Sequence, residues 1–167
     1  MKGLLLFWCL QTTLPSASQL DALRQSLHNS YSSKVAYNQL LQQTHNYTEA
    51  SPALLLAYKA MAEIMSCKYV FFPTEKLMHF NKGKHFMETA INKEPNNAEI
   101  HYLRFTIQDN APAILCYKSN LTTDKVVIFN YIKQMHGKHD AVADYMKHYI
   151  SISSNFTLQE KKTYQTL

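Results

Sequence analysis

Eight histidines, three cysteines and a pair of closely spaced aspartates are the side chains with chemistry to offer in this sequence. His136 and His139 are three apart, a spacing that suits two imidazoles on one helix face, but Gly137 between them is a helix terminator. No cysteine or carboxylate stands beside them at a recognised zinc spacing, so they read as exposed turn histidines and no metal is expected. Cys67 and Cys116 each lack a neighbouring histidine in sequence that would activate a thiolate. The two are open to a second reading, a disulfide in an oxidising compartment, as well as to that of free thiols. Asp140 and Asp144 are four apart, ordinary spacing for a solvated helix face. Gly-x-Ser-x-Gly, a phosphate-binding glycine loop and His-Glu-x-x-His are all absent. No reaction centre is legible and no cofactor is expected.

Arg104 is the polar residue of most interest. It stands between Leu103 and Phe105 in an apolar run, and three readings are open. Its guanidinium is buried and holds the carbonyls of the Asn110-Ala111-Pro112 turn, or lines a groove and waits for a ligand carboxylate, or snorkels over apolar neighbours at the surface. The net charge of +5 comes mostly from lysines, scattered among acids, with Arg24 and Arg104 the only arginines. A nucleic-acid binder would show an arginine-rich stripe, so no nucleic-acid partner is expected. Asn46-Tyr-Thr48, Asn120-Leu-Thr122 and Asn155-Phe-Thr157 match the N-glycosylation acceptor pattern, which informs only in a eukaryotic host.

The elements that must position these residues are helical. With 3 glycines in 167 residues and neither Asn-Gly nor Asp-Gly, the chain lacks hairpin chemistry, and its length suits one domain. The class is all-α. Residues 1–18 read as a secretory signal peptide: Lys2, then the apolar run 4–10, then Pro15-Ser16-Ala17-Ser18 with small residues where a peptidase would cut. The alternative is a first helix of the domain, against which Pro15 argues. Cys9 is excluded as a lipid anchor by the bulk of Trp8 before it. No later run is long enough to span a bilayer, so the mature chain is expected to carry no transmembrane segment. A single helical domain over 19–152 and a tail over 153–167, with one short helix behind the Thr157-to-Glu160 capping pattern, complete the organisation.

Apolar periodicity places helices at 19–30, 33–44, 53–70, 75–93, 98–108, 124–136 and 139–152. Val35, Tyr37, Leu40 and Leu41 form the inner face of the second. The helix at 53–70 is apolar nearly all round, with Lys59, Glu63 and Ser66 as a narrow polar strip, and is expected at the centre with Tyr58 and Met61 inward. Ser51-Pro52 reads as its N-cap and first residue. Phe71-Phe72-Pro73 breaks it, and Thr74 caps the next helix, whose inner face is Leu77, Phe80, Met87, Ala90 and Ile91 and whose Lys76, Lys82, Lys84 and Glu88 face solvent. Thr122 or Thr123 caps the helix at 124–136, and Gly137 ends it.

Gly83, Met87, Ala90 and the Pro95-Asn96-Asn97-Ala98-Glu99 run resemble the second helix of a tetratricopeptide repeat, its turn and the start of the next repeat. The match covers about 20 residues. His101 stands where that family has Trp, and Arg104 and Phe105 where it has Leu and Gly. The resemblance therefore implies a degenerate stack of antiparallel helical hairpins, about six or seven helices. The run Leu103-Arg104-Phe105-Thr106-Ile107-Gln108, with Asn110, Pro112, Leu115, Tyr117 and Asp124-Lys125, also resembles small exported helical proteins of unassigned function from Bacteroidetes-type bacteria. What these likenesses imply is an exported monomer, in the periplasm, the cell envelope or outside the cell. It would bind a protein or peptide in a groove through Tyr58, Tyr69, His101, Arg104 and Gln108. Two other readings stand beside it: an envelope accessory or structural protein without a groove ligand, and an enzyme whose site is assembled from separated residues.

Overall fold

Capping side chains set where most of the helices start. In the computed structural model, which describes residues 14–167, α1 (Ala17–Ser30) begins behind Ser16, whose Oγ accepts from the Gln19 N–H at 3.2 Å. Ser33 does the same for α2 (Lys34–Thr44), Asn97 for α5 (Ala98–Asn110) and Asp140 for α7 (Ala141–Ile152). Thr157 and Glu160 form a reciprocal capping box at α8 (Leu158–Gln165), a short helix of 8 residues. With α3 (Ala53–Ser66), α4 (Pro73–Lys93) and α6 (Leu121–Gln134) the described residues form eight α-helices, a 3-10 turn at Ala113–Leu115 and no strand. The all-α class is as expected, and the helix count is slightly higher. The apolar run at 4–10 and Cys9 lie outside the described residues.

Several boundaries and faces differ from expectation, each for a local reason. The central helix stops at Ser66 instead of 70, because the N–H groups of Cys67, Lys68 and Tyr69 bond to carbonyls three residues back, Ile64, Met65 and Ser66, at 3.1, 3.1 and 2.9 Å, in place of the four-residue helical bond. Ser51 is not its cap. Its Oγ accepts from the Thr48 N–H, and Pro52 takes the cap position. Pro73, not Glu75, opens α4, as proline at the first position should, and the Glu75 carboxylate reaches back to the Phe72 N–H. Asn120 precedes α6 in place of either threonine. That helix ends at Gln134 with Met135 as its cap, two residues before the expected end, and Gly137 follows in the turn in the left-handed region, with φ +76°. Val35 is exposed, and so is Leu77, which looks into a cleft rather than a filled core.

Burial identifies two helices as central. In α3, 12 of 14 residues are buried, Tyr58 and Met61 among them as expected, and in α5 10 of 13 are. The polar strip expected on α3 is interior too: Glu63 and Ser66 are buried, and Glu63 is held by Lys59 at 3.5 Å, Lys82 at 2.7 Å and His79 at 2.9 Å. Gly83 lets α4 lie against α3. A Cβ there would stand 2.9 Å from the Ala60 carbonyl oxygen and 2.8 Å from Ile64 Cγ1. Two apolar cores result. The first gathers α1 to α4 with Ile100, Leu103 and Ile107 of α5, and the second gathers Ala98 and Phe105 of α5 with α6, α7 and α8. No described helix is long and apolar enough to cross a membrane.

Candidate functional site

Two carboxylates of the interior draw most of the expected binding residues to themselves. Glu99 on α5 receives Arg24 of α1 through two parallel contacts, Nε to Oε1 at 2.9 Å and Nη2 to Oε2 at 2.7 Å, while the Tyr58 hydroxyl donates to Oε1 at 2.6 Å. Burial, and then the charge on Glu99, push the Tyr58 phenol well above its ordinary value, so it stays a donor. Asp124 on α6 is fully buried and receives Arg104 in the same two-pronged way, Nη2 to Oδ1 at 2.7 Å and Nε to Oδ2 at 3.0 Å. His101 Nδ1 stands 2.6 Å from the same Oδ1, and its Nε2 2.9 Å from the Pro95 carbonyl oxygen. The third arm of Arg104 meets Glu88 at 3.1 Å, and Tyr117 donates to the other oxygen of Glu88. Glu88 therefore belongs to this network, not to a purely solvated face. Gln108 is fully buried and exchanges two hydrogen bonds with Asn120.

Tyr58, His101, Arg104 and Gln108 are thus interior and mutually satisfied instead of facing a groove. Arg104 is the buried staple of one of its three readings, with a different partner: it ties α5 to α4 and α6 through carboxylates, and Asn110 is held by Thr106 and Tyr149 instead. Among the described residues no buried side-chain nitrogen or oxygen lacks a partner, so these clusters leave no group reaching for a ligand. Tyr69 differs. It is half-buried, stacked on Tyr37 at 4.2 Å between ring centroids, with the ammonium groups of Lys34 and Lys68 5.9 and 5.7 Å from its ring centre.

The open site lies elsewhere, in a cleft of about 420 Å³ near the C-terminal end of α3. Its floor is Met61, Ile64 and Met65 of α3, one wall is Leu77 and Phe80 of α4, and the other is Ile107 of α5 with Leu115 of the 3-10 turn. The size falls in the range of ligand-binding clefts, and the lining is nearly all apolar. Among the described residues Lys76 is its only charged lining residue, with Asn110, Thr106 and Tyr31 at its polar edge. Cys67 also lines it, but its thiol donates to the Lys76 carbonyl at 3.2 Å and burial pushes it up, away from thiolate character. Cys67 and Cys116 are both free thiols. Among the described residues no group of three histidine, cysteine, aspartate or glutamate side chains is arranged to hold a metal ion.

The cleft is hidden in the sequence because helical periodicity puts Leu77 on an inner face, where a filled core is expected. The signal that marks it is the pair of helix breaks at Phe71-Phe72-Pro73 and Ala111-Pro112. Both prolines line the gap. Comparison with known proteins finds no matching family model, no similar curated protein and no similar solved structure.

Proposed function

We propose that this chain is a helical binding domain, monomeric and without catalysis, that seats an apolar segment of a protein or peptide partner in the cleft between α3, α4 and α5. The observation that carries this is exposed apolar surface, at the cleft and beside one of its lining residues in the chain. Ile114, on the 3-10 turn, is 87% exposed, and Phe71 and Phe72, just before Pro73, are 85% and 59% exposed. A small molecule would complete itself inside the cavity and leave these side chains in water. A polypeptide can cover a cavity and apolar side chains outside it together, and exposed apolar surface beside a cleft marks interaction sites. The order of helix neighbours supports a degenerate tetratricopeptide-like stack as the scaffold: α1 meets α2 and α3, and α3 meets α4 and α5.

Selection from a displayed random-peptide library tests the reading. Enriched peptides should carry at least two large apolar residues, and Leu77→Glu, at a half-exposed position, should abolish their binding while the fold survives. Equal enrichment on wild type and Leu77→Glu would remove the cleft from consideration and leave an accessory or structural role as the better account.

Export belongs to the same proposal. Cleavage after Ser18 would take the Ser16 cap from α1, at a cost of about 1 kcal/mol, and leave a helix that starts uncapped at Gln19. N-terminal sequencing of native material should begin near Gln19, whereas an intact Met1 on protein isolated from cytoplasm would rule export out.

A further inference from the structure

We infer that the occupant of the cleft is an acidic amphipathic helix, a deepening that rests on the binding role proposed above. Secondary structure is decided by what the walls lack. Among the described residues there is no strand and hence no sheet edge, and the cleft walls are apolar helix faces. An extended segment laid there would leave backbone N–H and C=O groups against side chains that cannot pair with them, while a helix satisfies its own. The floor is already cut to helical spacing, since Met61, Ile64 and Met65 stand at i, i+3 and i+4 on α3. Two methionines on that floor give a surface that adapts to leucine or phenylalanine anchors.

Charge decides the rest. Among the described residues no carboxylate lines the cleft, and the one charged lining residue, Lys76, is exposed. Beside it lies a basic edge. Lys68 Nζ donates to the carbonyl of Tyr31, a cleft residue, at 2.7 Å, and Lys34 and Lys68 share the Tyr69 ring. Three lysines elsewhere meet carboxylates, Lys59 and Lys82 at Glu63 and Lys125 at Glu160. Lys34, Lys68 and Lys76 make no such ion pair among the described residues. An edge of uncompensated ammonium groups beside an apolar floor fits a helix with leucines on one face and carboxylates along the flank, and Tyr69 sits where that flank would pass.

Two synthetic helical peptides test this on the full chain, with the same leucine face and flanked either by glutamates or by lysines. By fluorescence anisotropy at low salt the glutamate peptide should bind roughly tenfold tighter, as two or three rim ion pairs allow. The preference should shrink at high salt. The exposed triple variant Lys34→Gln, Lys68→Gln, Lys76→Gln should keep its helical circular dichroism and bring the two peptides within about twofold of each other. Equal binding of both peptides to wild type would overturn the acidic partner while leaving the apolar cleft reading intact. Binding of neither would overturn both, and binding of anionic lipid vesicles in their place would assign the basic edge and Phe71-Phe72 to a membrane surface.

Discussion

Arg104 shows how a charged residue in an apolar run is decided by its partner. Its guanidinium is 4% exposed and the carboxylate opposite is fully buried, so the pair was taken out of water at a cost that only good geometry offsets. Removing one member strands the other. Arg104→Ala should therefore lower stability by about 3 to 5 kcal/mol, because the buried Asp124 would lose both guanidinium contacts and keep His101 alone. Arg104→Lys keeps a charge but not the planar fork, and should fall between wild type and alanine. Urea unfolding checks both, and an unchanged midpoint for the alanine variant would show that the pair is not closed in solution. The carboxylates that hold the surface of α3 and the end of α5 make a second, pH-linked prediction. Burial works against ionisation of Glu63 and Asp109, but hydrogen bonds from Lys82 and His79 to the first, and from Tyr149, Asn155 and Ser153 to the second, overcome it and hold both below the usual carboxylate range. Their folded values lie below their ordinary ones, 4.5 for Glu63 and 3.8 for Asp109, so the stability each confers is full above that ordinary value and is lost as pH falls through the lowered one. Unfolding midpoints should drop with acid in that window, and Glu63→Gln should be less stable at neutral pH with a shallower acid fall.

Helices were legible where apolar spacing and a capping residue agreed, as at Ser33, Asn97 and Thr157. They were misjudged where a side chain had a competing use. Asn120 gives its carbonyl oxygen to Gln108, and Ser51 its hydroxyl to the Thr48 backbone, and neither contest is visible in one dimension. The site was hidden for the same kind of reason. Periodicity says that Leu77 shares a face with Phe80, but whether a neighbour fills the space before it depends on where the chain goes after Pro73 and Pro112. Gly83 is the position at which sequence and packing say the same thing, a small residue where α4 crosses α3. Gly83→Ala should gain up to about 1 kcal/mol of helix propensity. It should lose more, because the new methyl meets a backbone carbonyl at 2.9 Å as well as Ile64, and overpacking costs about 1 to 3 kcal/mol. A net loss near 1 kcal/mol in urea unfolding is expected. A stabilised variant would show that α4 can slide away from Ala60 freely.

At the scale of the whole molecule the chain has two apolar cores that meet on one helix. Ile100, Leu103 and Ile107 point α5 at the first, and Ala98 and Phe105 point it at the second, which is why its apolar residues run all round and why its periodicity is weak in the sequence. The polar ties follow the same plan: Arg24 to Glu99 and Arg104 to Glu88 join α5 to α1 and α4, and Arg104 to Asp124 joins it to α6. The cleft belongs wholly to the first side, formed by α3, α4, α5 and the turn after it. Loosening the second core should then spare the cleft. Phe105 is 1% exposed and packs against Phe156 and Tyr149, with ring centroids 5.2 and 6.3 Å away. Phe105→Ala should cost about 3 to 5 kcal/mol. By hydrogen exchange, amides of α6, α7 and α8 should gain most of the added exchange, and those of α3 and α4 should stay near wild type, because local openings follow contiguous packed units. Binding at the cleft should survive under conditions where the variant is folded. Uniform acceleration across all eight helices would mean instead that α5 welds both cores into one cooperative unit, and that the cleft cannot be separated from the helices behind it.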